Sequence, residues 1–265
     1  MGVPTVGRPV LMFLGLISFS AAFALNILAG LGASSGVFKQ STEDVTLKYL
    51  TPLTPASWSL FVWDFIYVWL FFMFLYFLAG LCRRGVYEWM YTSPAVLPYG
   101  FHVSLLDLPV PPRGLKVYGG WLHTHHPADL WAIRLLVQNG VELYAAWSSI
   151  STLMSVSIYL EHYTPTSRCD CATFSLMVLL MELLAWFLLE NFYLDEHVRY
   201  VLTGYPVVIL WLSGSIRVIL LTACVMFLVR VPLVTWRHLR RPLYSDPFMV
   251  RSPGEIALTQ RRVFL

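Results

Sequence analysis

Charge is what this sequence is short of. Asp, Glu, Lys and Arg make up 12% of its 265 residues, about half the share of a soluble domain, while 57% are hydrophobic. That balance argues against a water-soluble fold. Cysteine is too scarce for a disulfide scaffold. Cys224 lies inside an apolar run, and Cys82 stands beside Arg83 and Arg84, where the choice is between an inert thiol and a palmitoylated one. Cys169-Asp170-Cys171 is too short for a zinc site. No Asn-x-Ser/Thr acceptor occurs, so glycosylation gives no orientation. A Ser-His-Asp order, a nucleotide-binding glycine motif and a zincin motif are also missing, and the expectation is a non-enzyme without metal or resident cofactor.

Hydrophobic runs stand in place of charge. Several approach the roughly 20 residues that a helix needs to cross a bilayer, and in lipid a helix satisfies its own backbone. The sequence predicts an all-α, multi-pass transmembrane helical bundle with about five spanning helices, near residues 10–31, 58–81, 130–160, 173–192 and 207–229, in one membrane domain over residues 1–232. The first helix is read as retained, because its apolar core is long for a signal peptide and the only charge before it is Arg8. Pro55 suits a first helical turn and Thr54 a cap, so the second helix should begin near Ser57 or Trp58. Residues 85–129, punctuated by prolines from Pro94 to Pro127, read as a loop with short interfacial pieces around Trp89, Tyr91 and Trp121. Residues 233–265 read as a basic cytoplasmic tail. After Val229, seven arginines stand against Asp246 and Glu255, an excess that fits anionic lipid better than nucleic acid.

Two basic segments then disagree. The stop Cys82-Arg83-Arg84 and the Arg-rich tail both read as cytoplasmic, yet three crossings between them put them on opposite sides. Agreement requires an even number: a crossing absent from the Pro-rich region, a re-entrant piece within residues 86–110, or a segment 130–160 that does not span.

Ionisable groups inside spans point to function, because leaving one unpaired in lipid is costly. Asp64, Arg134, Glu142, Glu182, Glu190 and Arg217 are such groups. Arg217 falls near the middle of the fifth predicted helix, and Glu182 is its nearest expected partner, with Asp64 the alternative; Arg134 and Glu142 belong to the same intramembrane charge set. A packing ion pair is the first reading and a polar pathway the second. Glu182, Trp186 and Glu190 recur every four residues and should share one face. On the second helix Trp63, Tyr67, Leu70 and Phe74 form a stripe with Trp58 at its start, either belt anchors or a ring stack for a flat ligand. His123-Thr124-His125-His126 with Asp129 is read as solvated loop histidines rather than as a metal site.

Two stretches carry a resemblance. Thr54-Pro55-Ala56-Ser57-Trp58-Ser59-Leu60-Phe61-Val62-Trp63 with Ile66-Tyr67 resembles the signature of the TspO-like, tryptophan-rich sensory (translocator) membrane proteins, and Val141-Glu142-Leu143-Tyr144-Ala145-Ala146-Trp147 with the small residues after it resembles a later motif of the same group. Asp64 stands where that family has Gly, and Met154 or Ser155 where it has Asn. The resemblance implies a non-catalytic helical bundle that binds a porphyrin, a sterol or another flat apolar molecule, in some members as a homodimer. It carries over Pro55, Trp58, Trp63, Tyr67, Tyr144 and Trp147, and Asp64 joins them as a ligand-contact candidate. It also implies a further helix near residues 100–116, hence the expectation that this chain is a shortened form.

Overall fold

The computed structural model describes residues 7–51, 53–55, 61–82, 113–165, 167–212 and 217–244, and every regular element among them is helical. Trp58, Arg83-Arg84, most of the Pro-rich stretch and the tail beyond Tyr244 lie outside the described residues. In order come α1 (Gly7–Leu31), α2 (Thr42–Lys48), α3 (Val62–Cys82), α4 (Arg113–His125), α5 (Pro127–Tyr163), α6 (Arg168–Tyr193), the single turn α7 (Asp195–Val198), α8 (Gly204–Leu212) and α9 (Arg217–Arg240). Five of them, α1, α3, α5, α6 and α9, are long and apolar enough to cross a membrane. Their outer faces leave Phe13, Ile17, Met177, Met181, Leu221 and Leu228 exposed, a surface suited to lipid rather than water. The described residues are all-helical, and five helices able to span a bilayer point to an integral, multi-pass membrane protein.

Local chemistry sets the ends of these helices. At the end of α1, Gly32 has φ +55°, and a Cβ there would stand 2.5 Å from the Ser41 backbone nitrogen. Ser34 and Ser35 then donate to the carbonyls of Leu31 and Gly32 at 2.7 and 2.6 Å. Ser41 and Asp44 form a reciprocal capping box on α2. The start of α6 is Arg168, ahead of the expected residue 173, because Ser167 caps it: Ser167 Oγ accepts from the Asp170 amide at 3.2 Å and donates to the Asp170 carboxylate at 2.7 Å. Thr54 does not serve α3 as expected. Its hydroxyl accepts from the Thr51 amide at 2.7 Å and so closes the turn before Pro55.

Two further expectations are corrected. Part of the supposed loop of residues 85–129 is α4, whose 13 residues span only about 20 Å, short of a bilayer's hydrocarbon core. The fifth predicted helix, 207–229, is two elements, α8 and α9, and α9 runs on through Pro232 to Arg240. Membrane helices tolerate such a proline, and the Arg230 taken as the start of the tail is buried within the helix.

The chain forms two compact units, and several helices contribute to both. One comprises residues 1–68, 143–187 and 203–227; its core includes Leu53, Ile66, Trp147, Ile150, Leu179, Tyr205, Trp211 and Ala223. The Ser175 hydroxyl, fully buried, donates to the Leu153 carbonyl at 3.3 Å and so ties α6 to α5. The other unit comprises residues 69–142, 188–202 and 228–265, with Leu70, Met73, Phe77, Trp121, Leu130, Ile133 and Val234 in its core. Here α3 meets α5 closely at Gly140, where a Cβ would lie 2.7 Å from Trp69 Cδ1, and Trp69 Nε1 donates to the Leu135 carbonyl at 3.3 Å.

Within this second unit the C-terminal ends of α6 and α9 lie together: Arg199, just after α7, donates to the Arg241 carbonyl at 2.7 Å. Arg217 is one helix length from that contact, about 35 Å for 24 residues. Of the connection between Arg199 and α9, the described helix is α8, nine residues or about 14 Å long, shorter than a bilayer's hydrocarbon core.

Candidate functional site

In the first unit, α3 and α5 bring rings together. Trp63 and Tyr67, four residues apart and thus on one face of α3, stack at 5.9 Å with 28° between their planes. From α5, Trp147 meets Trp63 edge-on at 6.0 Å, and Tyr144, one turn earlier, meets it at 6.4 Å. Tyr67 also contacts Phe23 and Phe19 of α1 at 5.4 and 6.1 Å. On the far side of Trp147 stands Trp211 of α8, with centroids 4.5 Å apart. Offset and edge contacts of this kind are the favoured aromatic geometries, each worth about 0.5–1.5 kcal/mol beyond burial.

Trp211 was not legible as a site residue, because it sits in an apolar run without a polar neighbour. Its indole N–H donates to the Leu53 carbonyl at 2.7 Å, fixing the turn that precedes Pro55. Trp147 differs. Its side chain is 0% exposed, and Nε1 has no acceptor among the described residues. A buried donor left without an acceptor costs about 1–3 kcal/mol, so such groups call for an explanation.

Of the other ligand-contact candidates, Asp64 is exposed in the first turn of α3, where a carboxylate suits the helix dipole, and Trp58 lies outside the described residues. The expected pair of Glu182 with Arg217 is not what forms. Glu182 Oε2 accepts from Ser149 Oγ at 2.7 Å, while Arg217 is the exposed first residue of α9 rather than a mid-helix charge.

The second unit holds a buried polar network instead. A wide π turn over Ile133–Gln138 carries Arg134, which is 3% exposed and lies over three rings, Tyr200 at 4.1 Å, Trp131 at 5.2 Å and Tyr244 at 5.8 Å. Glu142 is also buried there. Asn139 fastens the next segment: Nδ2 donates to the carbonyls of Arg134 and Tyr200, and Oδ1 accepts from the Leu202 amide at 3.0 Å. A second π turn, Leu189–Tyr193, places Glu190 in the interior, whereas Glu182 is exposed; the expected common face of Glu182, Trp186 and Glu190 is therefore lost. Arg230 answers Glu190 and Asn191, and Asp195 receives both Arg199 and Arg237.

Tyr244 closes this unit. Its φ of 72° is rare for a residue with a side chain, and its ring end occupies the space that a Cβ on Gly119 of α4 would need. Burial pushes the Tyr244 phenol above its ordinary value, with Arg134 pulling the other way. His123 lies 6.1 Å from the same ring, His125 Nδ1 lies 3.1 Å from the Trp121 carbonyl, and His126 lies 3.9 Å from Asp129. Among the described residues, no group of three or more His, Cys, Asp or Glu is placed to hold a metal ion.

No protein-family model, curated protein or solved structure matches this chain. The TspO-like resemblance rests on its residues alone.

Proposed function

We propose that this membrane protein is a non-catalytic, TspO-like binder or carrier of a small flat apolar ligand, porphyrin-like or sterol-like, at Trp63, Tyr67, Tyr144 and Trp147. The single observation that carries this reading is Trp147: a buried indole N–H without an acceptor among the described residues, beside a half-buried Trp63 and an exposed Tyr144. A ring system bearing one carbonyl or carboxylate would supply that acceptor and lie against the same rings. On the positive-inside rule, the end that holds the basic residues of α9 faces the cytoplasm, with Arg240 and Arg241 beside anionic lipid.

A second reading has its own support. The Trp211 bond to Leu53 and the mutual ring contacts serve packing without any ligand, as in a membrane structural or interaction protein. Transport through a polar path loses its main residue, since Arg217 stands at a helix end.

Thermal unfolding of the purified protein with protoporphyrin IX or cholesterol separates the two. A ligand-dependent rise in midpoint is expected for the wild type, with affinity lowered about tenfold in Trp147→Phe, the loss of one buried hydrogen bond. An absent shift with both compounds, or equal affinity in Trp63→Leu and Trp147→Phe, favours the packing reading.

A further inference from the structure

Glu182 is exposed, and it lies deep in a membrane span. It stands fourteen residues from Arg168 and eleven from Tyr193 along α6, about 21 and 17 Å from the two helix ends. That depth is close to the middle of a hydrocarbon core. Its neighbours along the helix, Met177, Met181, Leu184 and Phe174, are exposed and apolar, as a lipid-facing surface requires. Ser149 of α5 stands against it, and one turn on, Thr152 donates back to the Ser148 carbonyl, so that small side chains flank the carboxylate on α5.

Among the described residues, Glu182 has one hydrogen-bond partner, Ser149, which donates a single proton to Oε2. An ionised carboxylate accepts about four such bonds. Charged side chains in spans almost always face a bundle interior or pair with another group. Glu190, buried against Arg230, obeys that rule within the chain. Glu182 does not, and among the described residues no basic side chain pairs with it.

We propose that the Ser149–Glu182 face of α5 and α6 is a docking surface for a transmembrane helix of another protein that carries a basic side chain at mid-bilayer depth. Charge complementarity selects the partner. Small residues admit a close helix approach, and the serine orients the carboxylate toward the incoming cation. A guanidinium suits the position because it stays charged and pairs a carboxylate through two N–H groups. The proposal requires only that α6 crosses the bilayer, and it does not depend on the ring cluster.

The test uses the full chain, acceptor-labelled and reconstituted in phosphatidylcholine vesicles. It is titrated by energy transfer with a donor-labelled polyleucine helix that has one central Arg, and with the same helix bearing Leu there. At least fivefold tighter association of the Arg helix is expected, falling to the Leu-helix level in Glu182→Gln, which preserves shape and the acceptor for Ser149. Ser149→Ala, which keeps the carboxylate, should retain most of the preference. Equal association of the two helices, or an unchanged preference in Glu182→Gln, overturns the proposal. Self-association of the chain through Glu182 that excludes the Arg helix also overturns it, in favour of a second copy.

Discussion

Arg230 bridges two adjacent side chains of α6: its Nη1 donates to Asn191 Oδ1 at 2.8 Å, and its Nε lies 3.4 Å from Glu190 Oε1, with both charged side chains 0% exposed. The same guanidinium donates through Nη2 to the Val198 carbonyl at 3.1 Å. One arginine on α9 thereby fixes the π turn of α6 and the segment that follows it.

Removing one partner of such a pair strands the other charge. Arg230→Ala is expected to destabilise the protein by about 3–5 kcal/mol, while the double change Arg230→Met with Glu190→Met recovers most of that loss, because desolvation of the ions offsets much of their attraction. Thermal or denaturant unfolding in detergent reads both. A single mutant as stable as the wild type would show that the pair does not hold the turn.

Gly119 and Tyr244 form a second lock. A methyl at residue 119 meets the ring end of Tyr244, so Gly119→Ala should displace the ring from above Arg134 and cost about 1–3 kcal/mol, as overpacking does. In the background of Tyr244→Ala the same substitution should cost almost nothing. Additive losses in the double mutant would exclude contact between the two residues.

How much of this was legible follows from what each signal measures. Apolar length identifies candidate spans, so α1, α3, α5, α6 and about half of α9 could be read from hydropathy. It does not foresee that one apolar run holds two helices, α8 ending at Leu212 and α9 beginning at Arg217. Four-residue spacing on α3 pointed to Trp63 and Tyr67, whereas Tyr144 and Trp147 were reached only through the family resemblance. Trp211 arrives from a distant segment that no local pattern connects to Trp147. Arg230 was assigned to the tail because a charge after an apolar run ordinarily ends a span; its partner, Glu190, is displaced inward by a π turn that helical periodicity does not foresee.

The cap of α2 responds to acid. Hydrogen bonds from the Ser41 side chain, and then its backbone, hold the Asp44 carboxylate below its ordinary value of 3.8. Because the folded value is the lower one, this contribution is fully present above the ordinary value and is lost as pH falls through the folded one. Protection of the amides over Thr42–Lys48, measured against their intrinsic exchange rates, should therefore fall selectively at low pH in the wild type. Ser41→Ala should show faster exchange already at neutral pH, and a flat profile shared by both proteins would remove Asp44 from the cap.

Sidedness tests whether the ends of α6 and α9 share a membrane surface. With α5 and α6 long and apolar enough to cross and α9 ending against Arg199, single cysteines at His125, Glu196 and Arg241 should all be labelled from one face of sealed vesicles, and one at Pro165 from the other. An uninterrupted span over residues 207–229 would instead place Arg241 opposite Glu196. In a background with the four native cysteines replaced, an impermeant maleimide distinguishes the two patterns directly. Labelling of Arg241 with Pro165 would separate the ends of α6 and α9; labelling with Glu196 puts the arginines that end α9 at the same membrane surface as the segment that follows α6.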